Sequence, residues 1–254
     1  MPGAVEAGLW GLLGGAALVL GALVAWFVRV PQAVIASVMA FGSGVLISAV
    51  AFDLMAEAAD TGGLTATAVG FLGGALAYVG ANALLARRGA RHRKRSGAGG
   101  EQQPSEDEQS GSGAAIAVGA LLDGVPESVV LGLGLLGGGA VSPSVLAAVF
   151  ISNVPEGLSS AAGMKASGRR AGYVFGVWGG IAVVSGLAAA LGYVALGSAS
   201  PEVVAVITAV AAGAILTMIA DTMIPEAFER TRTWTGVITT VGFLVAFGIE
   251  RLGA

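Results

Sequence analysis

Residues 171–197 read AGYVFGVWGGIAVVSGLAAALGYVALG. No charged side chain interrupts this stretch, and it exceeds the roughly 20 residues that an α-helix needs to cross a ~30 Å hydrocarbon layer. Its many Gly and Ala residues suit close helix packing in lipid, where small side chains let backbones approach. Comparable apolar runs lie on either side, near 6–28, 33–57, 63–86, 113–137 and 143–164 before it and near 202–226 and 234–252 after it. The pattern predicts an all-α, polytopic membrane bundle of about eight transmembrane helices, forming a single domain over residues 1–254. Composition agrees, since 55% hydrophobic residues, 11% charged residues and 42 glycines leave more apolar surface than one water-soluble core can hide.

The spans are punctuated by Arg29 and Pro31, an Asp60 to Gly63 turn, a long segment from Arg87, Gly137 to Pro143, Lys165 to Arg170, Ser198 to Pro201, and Arg230 to Thr233. Twelve of the thirteen basic residues fall in the first, third, fifth and seventh connections. The positive-inside rule makes that face cytoplasmic and puts both termini outside. An odd number of spans would destroy this agreement. The expected location is the plasma (inner) membrane, with the Gly-, Ser- and Gln-rich segment at about 87–113 as a flexible cytoplasmic loop without site residues. Small-residue faces permit a homodimer, and no nucleic-acid partner is expected.

With no cysteine, and with its only histidine, His92, in the hydrophilic loop, the chain must build any intramembrane metal site from oxygen ligands. Such oxygens are present. Asp53, Asp123, Glu127, Glu156 and Asp221 sit within the expected spans, and no Lys or Arg accompanies them there. A charge at the bilayer centre costs about 2.5–3.5 kcal/mol on insertion scales, so such acids face a bundle interior or a hydrated path. Several acids without a protein counter-ion need a cation or protons.

Two of the spans repeat a pattern: DGVPES at residues 123–128 and SNVPEG at residues 152–157. Asp123 and Glu127, four apart, share one helix face, and Asn153 and Glu156 share another at a spacing of three. Opposed, the two faces would offer four side-chain oxygen ligands, with the Ser152 hydroxyl beside them. Pro126 and Pro155 each remove an amide donor and should free the carbonyls of Leu122 and Ile151. A weaker correspondence joins FDLMAEA at 52–58 to ADTMIPEAFE at 220–229, which would put Asp53 and Asp221 on a route to a midplane site between repeated halves. Met39, Met55, Met164, Met218 and Met223 read as packing residues rather than ligands.

At these residues the sequence resembles the ZIP (Zrt, Irt-like) family of metal ion transporters in its bacterial branch. That family carries His-Asn-x-Pro-Glu-Gly and a similar polar-Asn-x-Pro-Glu-Gly signature in its fourth and fifth spans. SNVPEGL matches the second motif, DTMIPEA in the seventh span fits the wider pattern, and so do the span count, the long third loop and the external termini. The resemblance implies a metal site of Glu127, Asn153 and Glu156, with Asp123 and Ser152 at ligand positions of changed chemistry. Where the family's first motif begins His-Asn, this chain has Asp123-Gly124, and residues 178–192 lack the family's acid in the sixth span. That absence weighs against a two-metal centre. An all-oxygen donor set suits harder ions than imidazole does. The resemblance makes Zn²⁺ the first cargo, with Fe²⁺, Mn²⁺ and Cd²⁺ beside it, moved toward the cytoplasm and with no prosthetic group.

Other readings of the same acids are a proton-coupled carrier or channel for another solute, or a non-transporting membrane scaffold. An enzyme is not expected, because an intramembrane hydrolase would need the histidines or cysteine that the spans lack.

Overall fold

The computed structural model describes residues 2–87, 103 and 112–253. Among these residues the chain is 91% helical and contains no strand. The helices are α1 (Pro2–Phe27), α2 (Gln32–Ala49), α3 (Met55–Ala86), α4 (Ser112–Leu133), α5 (Pro143–Ala166), α6 (Ala171–Leu196), α7 (Pro201–Met218), α8 (Ile224–Thr231) and α9 (Thr235–Gly253). A π-helical turn, Val50–Leu54, carries α2 into α3, and another, Ile219–Met223, carries α7 into α8.

Six helical stretches are long and apolar enough to cross a membrane: Gly3–Phe27, Gln32–Ala86, Ala114–Leu133, Pro143–Ala166, Ala171–Leu196 and Pro201–Leu252. The sequence predicts separate runs at 33–57 and 63–86, but the structure joins them, because the backbone stays helical on both sides of a single residue, Gly63 (φ 74°, ψ 163°). Only a residue without Cβ enters that region readily. The chain doubles back there. Val50 borders a void beside Ile215, Ala58 and Gly62 both lie against Ala205 near the start of α7, and Gly74 then packs beside Val210 farther along it. The second join, between the runs expected at 202–226 and 234–252, breaks at Arg232 (φ 44°, ψ −117°). Beyond it α9 returns along α2, where the Phe52 ring meets those of Phe243 and Phe247 at 5.8 and 5.1 Å.

The helices assemble as two groups. In the first, α1 packs on α5 and α6, and α4 packs on α6; in the second, α3 packs on α7 and α2 packs on α8 and α9. Glycines set the approach. A Cβ at Gly21 would strike the Val154 carbonyl, and one at Gly157 would strike the Leu18 carbonyl, so α1 and α5 touch backbone to backbone. Gly74 and Gly213 do the same for α3 and α7, as do Gly44 and Gly242 for α2 and α9. The seam between the groups runs chiefly along α2 and α5. There a Cβ at Gly42 would lie 3.2 Å from Ser152 Cα and 3.6 Å from the Ile151 carbonyl, the group that Pro155 deprives of its helical donor.

Met39, Met218 and Met223 are buried in the larger apolar cluster and Met164 in the smaller, as their reading as packing residues requires. Of the loop expected at 87–113, all but Arg87, Gln103 and the Ser112–Gly113 start of α4 lies outside the described residues.

Candidate functional site

The three acids of the paired Pro-Glu segments are buried. Asp123 and Glu127 on α4 are each 1% exposed, and Glu156 on α5 is 5% exposed. Among the described residues no Lys or Arg is buried. Ser152 and Asn153 are buried as well, at 0% and 3%. All five expected ligand residues therefore face the interior, as their helical spacing predicts.

They do not close on one point. Among the described residues, no three Asp, Glu, His or Cys side chains gather closely enough to share a metal ion. Local bonds explain the spread. The Tyr78 hydroxyl, from α3, donates to Asp123 Oδ1 at 2.6 Å. Asn153 Nδ2 donates to the Gly14 carbonyl of α1 at 3.0 Å, and Ser152 Oγ donates to the Val149 carbonyl at 3.0 Å. Asn153 Oδ1 is buried without a hydrogen-bond donor, so the amide's one neutral acceptor stands open. The α4 and α5 segments also meet over a narrow strip, since α4 packs chiefly on α6 and α5 on α1 and α2.

One end of the bundle is open and polar. Cavities of about 420 and 220 Å³ share Glu57, Gly134 and Thr208 at the end of the bundle formed by the second, fourth and sixth connections. Asp53 lines the smaller cavity. Its Oδ1 accepts from Ser144 Oγ at 2.6 Å and from Ser142 Oγ at 3.0 Å, while Ser142 also caps α5 by accepting from the Val145 amide. Leu54, Val130 and Val145 line this cavity and also a void of about 10 Å³ beside Glu127. That void is at the limit of what holds a water molecule. The three apolar side chains thus close the path between Asp53 and Glu127.

Asp221 occupies the second π turn, as Asp53 occupies the first, which matches the weak internal correspondence between the two segments. Its surroundings differ, for Asp221 is exposed. On the opposite side of the acids from the cavities, Gln103 is 2% exposed and its Nε2 donates to the Ser160 carbonyl, one turn beyond Glu156, at 3.1 Å. The sequence reading gave the 87–113 segment no site residues. A single Gln in a polar tract carries no periodic signal that would have marked it.

Sequence reasoning also missed Tyr78, Ser142 and Ser144. Tyr78 is one of three tyrosines in the chain, and its buried position in an apolar span was the available signal, because a phenol in such a place needs a hydrogen-bond partner. Ser142 before Pro143 was legible as a helix cap, though not as a partner of Asp53. Comparison with known proteins finds no matching family model and no matching curated sequence.

Proposed function

We propose that the chain is a transporter that carries a divalent metal ion across the plasma (inner) membrane toward the cytoplasm. The observation that carries this reading is the burial of Asp123, Glu127 and Glu156 on the paired Pro-Glu segments of α4 and α5. Carboxylates buried at membrane depth favour either a bound cation or protonation. Asn153 Oδ1, buried without a hydrogen-bond donor among the described residues, offers a neutral oxygen ligand on the same helix as Glu156.

In the proposed cycle an ion enters past Glu57 and Asp53, where the two serines orient the Asp53 carboxylate. It passes Leu54, Val130 and Val145 when these separate, and binds between α4 and α5. Asp123, Glu127 and Glu156 supply charge, and Asn153 and Ser152 supply neutral oxygens. In this cycle Asp123 leaves Tyr78 on binding, and the closed arrangement described above is a resting one. The group of α1, α4, α5 and α6 then shifts against the group of α2, α3, α7, α8 and α9 along the α2–α5 seam. The all-oxygen donor set favours a broad divalent range in which Zn²⁺, Fe²⁺, Mn²⁺ and Cd²⁺ compete. Asp221, exposed in the resting arrangement, belongs to the exit or to a face covered by a second copy.

Eight spans with both termini outside complete the proposal. A straight helix from Gln32 to Ala86 would be ~80 Å long, well beyond a ~30 Å hydrocarbon layer, and the reversal at Gly63 resolves the excess. The break at Arg232 divides Pro201–Leu252 in the same way.

Metal uptake into proteoliposomes tests the function, with Zn²⁺, Mn²⁺, Fe²⁺, Cd²⁺ and Mg²⁺ compared for the wild type and for Glu127→Ala with Glu156→Ala. Saturable uptake that vanishes in the double variant is expected. No uptake above empty liposomes from folded wild-type protein would overturn the reading in favour of a proton-coupled carrier or a scaffold.

A further inference from the structure

We infer that the seam between α1, α2 and α5 at the basic face of the bundle binds the phosphate group of an anionic phospholipid. A cavity of about 310 Å³ opens there, lined by Arg29, Gln32 and Lys165 together with the apolar side chains of Val28, Val30 and Ile35. Among the described residues no carboxylate lines it.

Three independent features favour an anion. Lys165 Nζ donates one of its three protons to the Trp26 carbonyl at 2.6 Å and lies 5.3 Å from the centre of the Trp26 ring, which fixes the ammonium at the cavity wall. Arg29 is exposed and makes no hydrogen bond or ion pair with any described residue, so its guanidinium has its full set of donors to offer. The α2 helix begins at Gln32, behind Pro31, with no side chain capping its first turn. The positive end of its dipole therefore lies at the same cavity.

The apolar part of the lining selects a lipid over a free ion. Val28 is 54% exposed at the rim, where a glycerol or acyl segment would cover it. A phosphodiester with an apolar tail matches a wall that is cationic at one side and aliphatic at the other, as in basic pockets between transmembrane helices. The position also has a mechanical consequence. Arg29 lies on the link from α1 to α2, which belong to different helix groups, and Lys165 lies on α5, so one headgroup bound to both would hold that link against α5. Assignment of this face to the inner leaflet rests on the orientation proposed above, whereas the binding chemistry does not.

The test uses the full chain purified in a neutral detergent. Thermal unfolding and lipid retention in native mass spectrometry are followed with phosphatidylglycerol, phosphatidylcholine or inorganic phosphate added. Phosphatidylglycerol is expected to raise the unfolding temperature and to remain bound. Arg29→Gln and Lys165→Gln should each weaken retention about fivefold. Arg230→Gln with Arg232→Gln, on the same basic face but outside the cavity, should leave it unchanged. Arg29→Gln removes no contact within the fold and so separates binding from folding. Equal retention in all variants, or no preference over phosphatidylcholine, would overturn the site. The full thermal shift from inorganic phosphate alone would overturn the lipid assignment. None of these readouts requires transport, so the result stands apart from that of the uptake experiment.

Discussion

The Tyr78 hydroxyl donates a 2.6 Å hydrogen bond to Asp123 Oδ1, so a residue of α3 holds the acid that α4 contributes to the candidate metal site. The bond crosses from one helix group to the other. It also competes with any cation for the same oxygen. A hydrogen bond to a charged group contributes about 1.5–3 kcal/mol net, enough to matter for both stability and affinity.

Tyr78→Phe should therefore act in two opposite directions. The folded state loses roughly 1–2 kcal/mol, read as a lower unfolding temperature. Half-saturation for metal uptake moves to a concentration about tenfold lower, since the ion no longer displaces a donor. A rise in that concentration would mean instead that Tyr78 orients Asp123 for the ion.

The glycine of the SNVPEG motif has a packing role that can be measured apart from transport. A Cβ at Gly157 would meet the Leu18 carbonyl, so Gly157→Ala should destabilise by about 1–3 kcal/mol through overpacking. Gly176 and Gly180 on α6 have nothing within 4 Å of a built Cβ. Alanine there should be neutral or stabilising by up to about 1 kcal/mol, because it is the better helix former. Thermal unfolding of the three variants in one detergent makes the comparison.

The absence of native cysteine makes topology directly testable with single-cysteine variants. Asp60, Ser198 and Thr233 are all exposed. An impermeant maleimide applied to intact cells should label Asp60→Cys and Ser198→Cys, and should label Thr233→Cys only after permeabilisation. A protected Asp60→Cys on both sides would place that residue within the bilayer and refute the reversal at Gly63.

Backbone conformation at the two breaks predicts opposite responses to substitution. Gly63 has φ 74° and ψ 163°, a region that other residues enter at a cost of about 1–3 kcal/mol, so Gly63→Ala should lower the unfolding temperature. Arg232 already has φ 44° without being glycine, and Arg232→Gly should relieve strain of similar origin and raise it.

At the cavity lined by Asp53, Ser144→Ala removes the shorter of the two hydroxyl bonds to that carboxylate. The carboxylate then loses orientation rather than charge. Uptake in proteoliposomes should need a severalfold higher metal concentration for half-saturation at an unchanged maximal rate, whereas Glu127→Gln should abolish it.

Sequence alone determined the helical class and helices long and apolar enough to cross a membrane, because apolar runs such as 171–197 suit lipid and internal hydrogen bonding. It also assigned common faces: helical periodicity is local, so Asp123 with Glu127, and Asn153 with Glu156, could be paired from spacing, whereas Asp221, grouped with the inward acids, is exposed. Boundaries were less legible. The reversal at Gly63 needs only one residue outside the helical region, which hydropathy averages over. What tertiary structure decided was partnership. Tyr78 reaches Asp123 across 45 residues, Ser144 reaches Asp53 across 91, and Asn153 reaches the Gly14 carbonyl across 139. Such pairings depend on which helices lie side by side, and that is set by where glycines allow backbones to touch and by how apolar faces fit, neither of which spacing along one chain segment encodes.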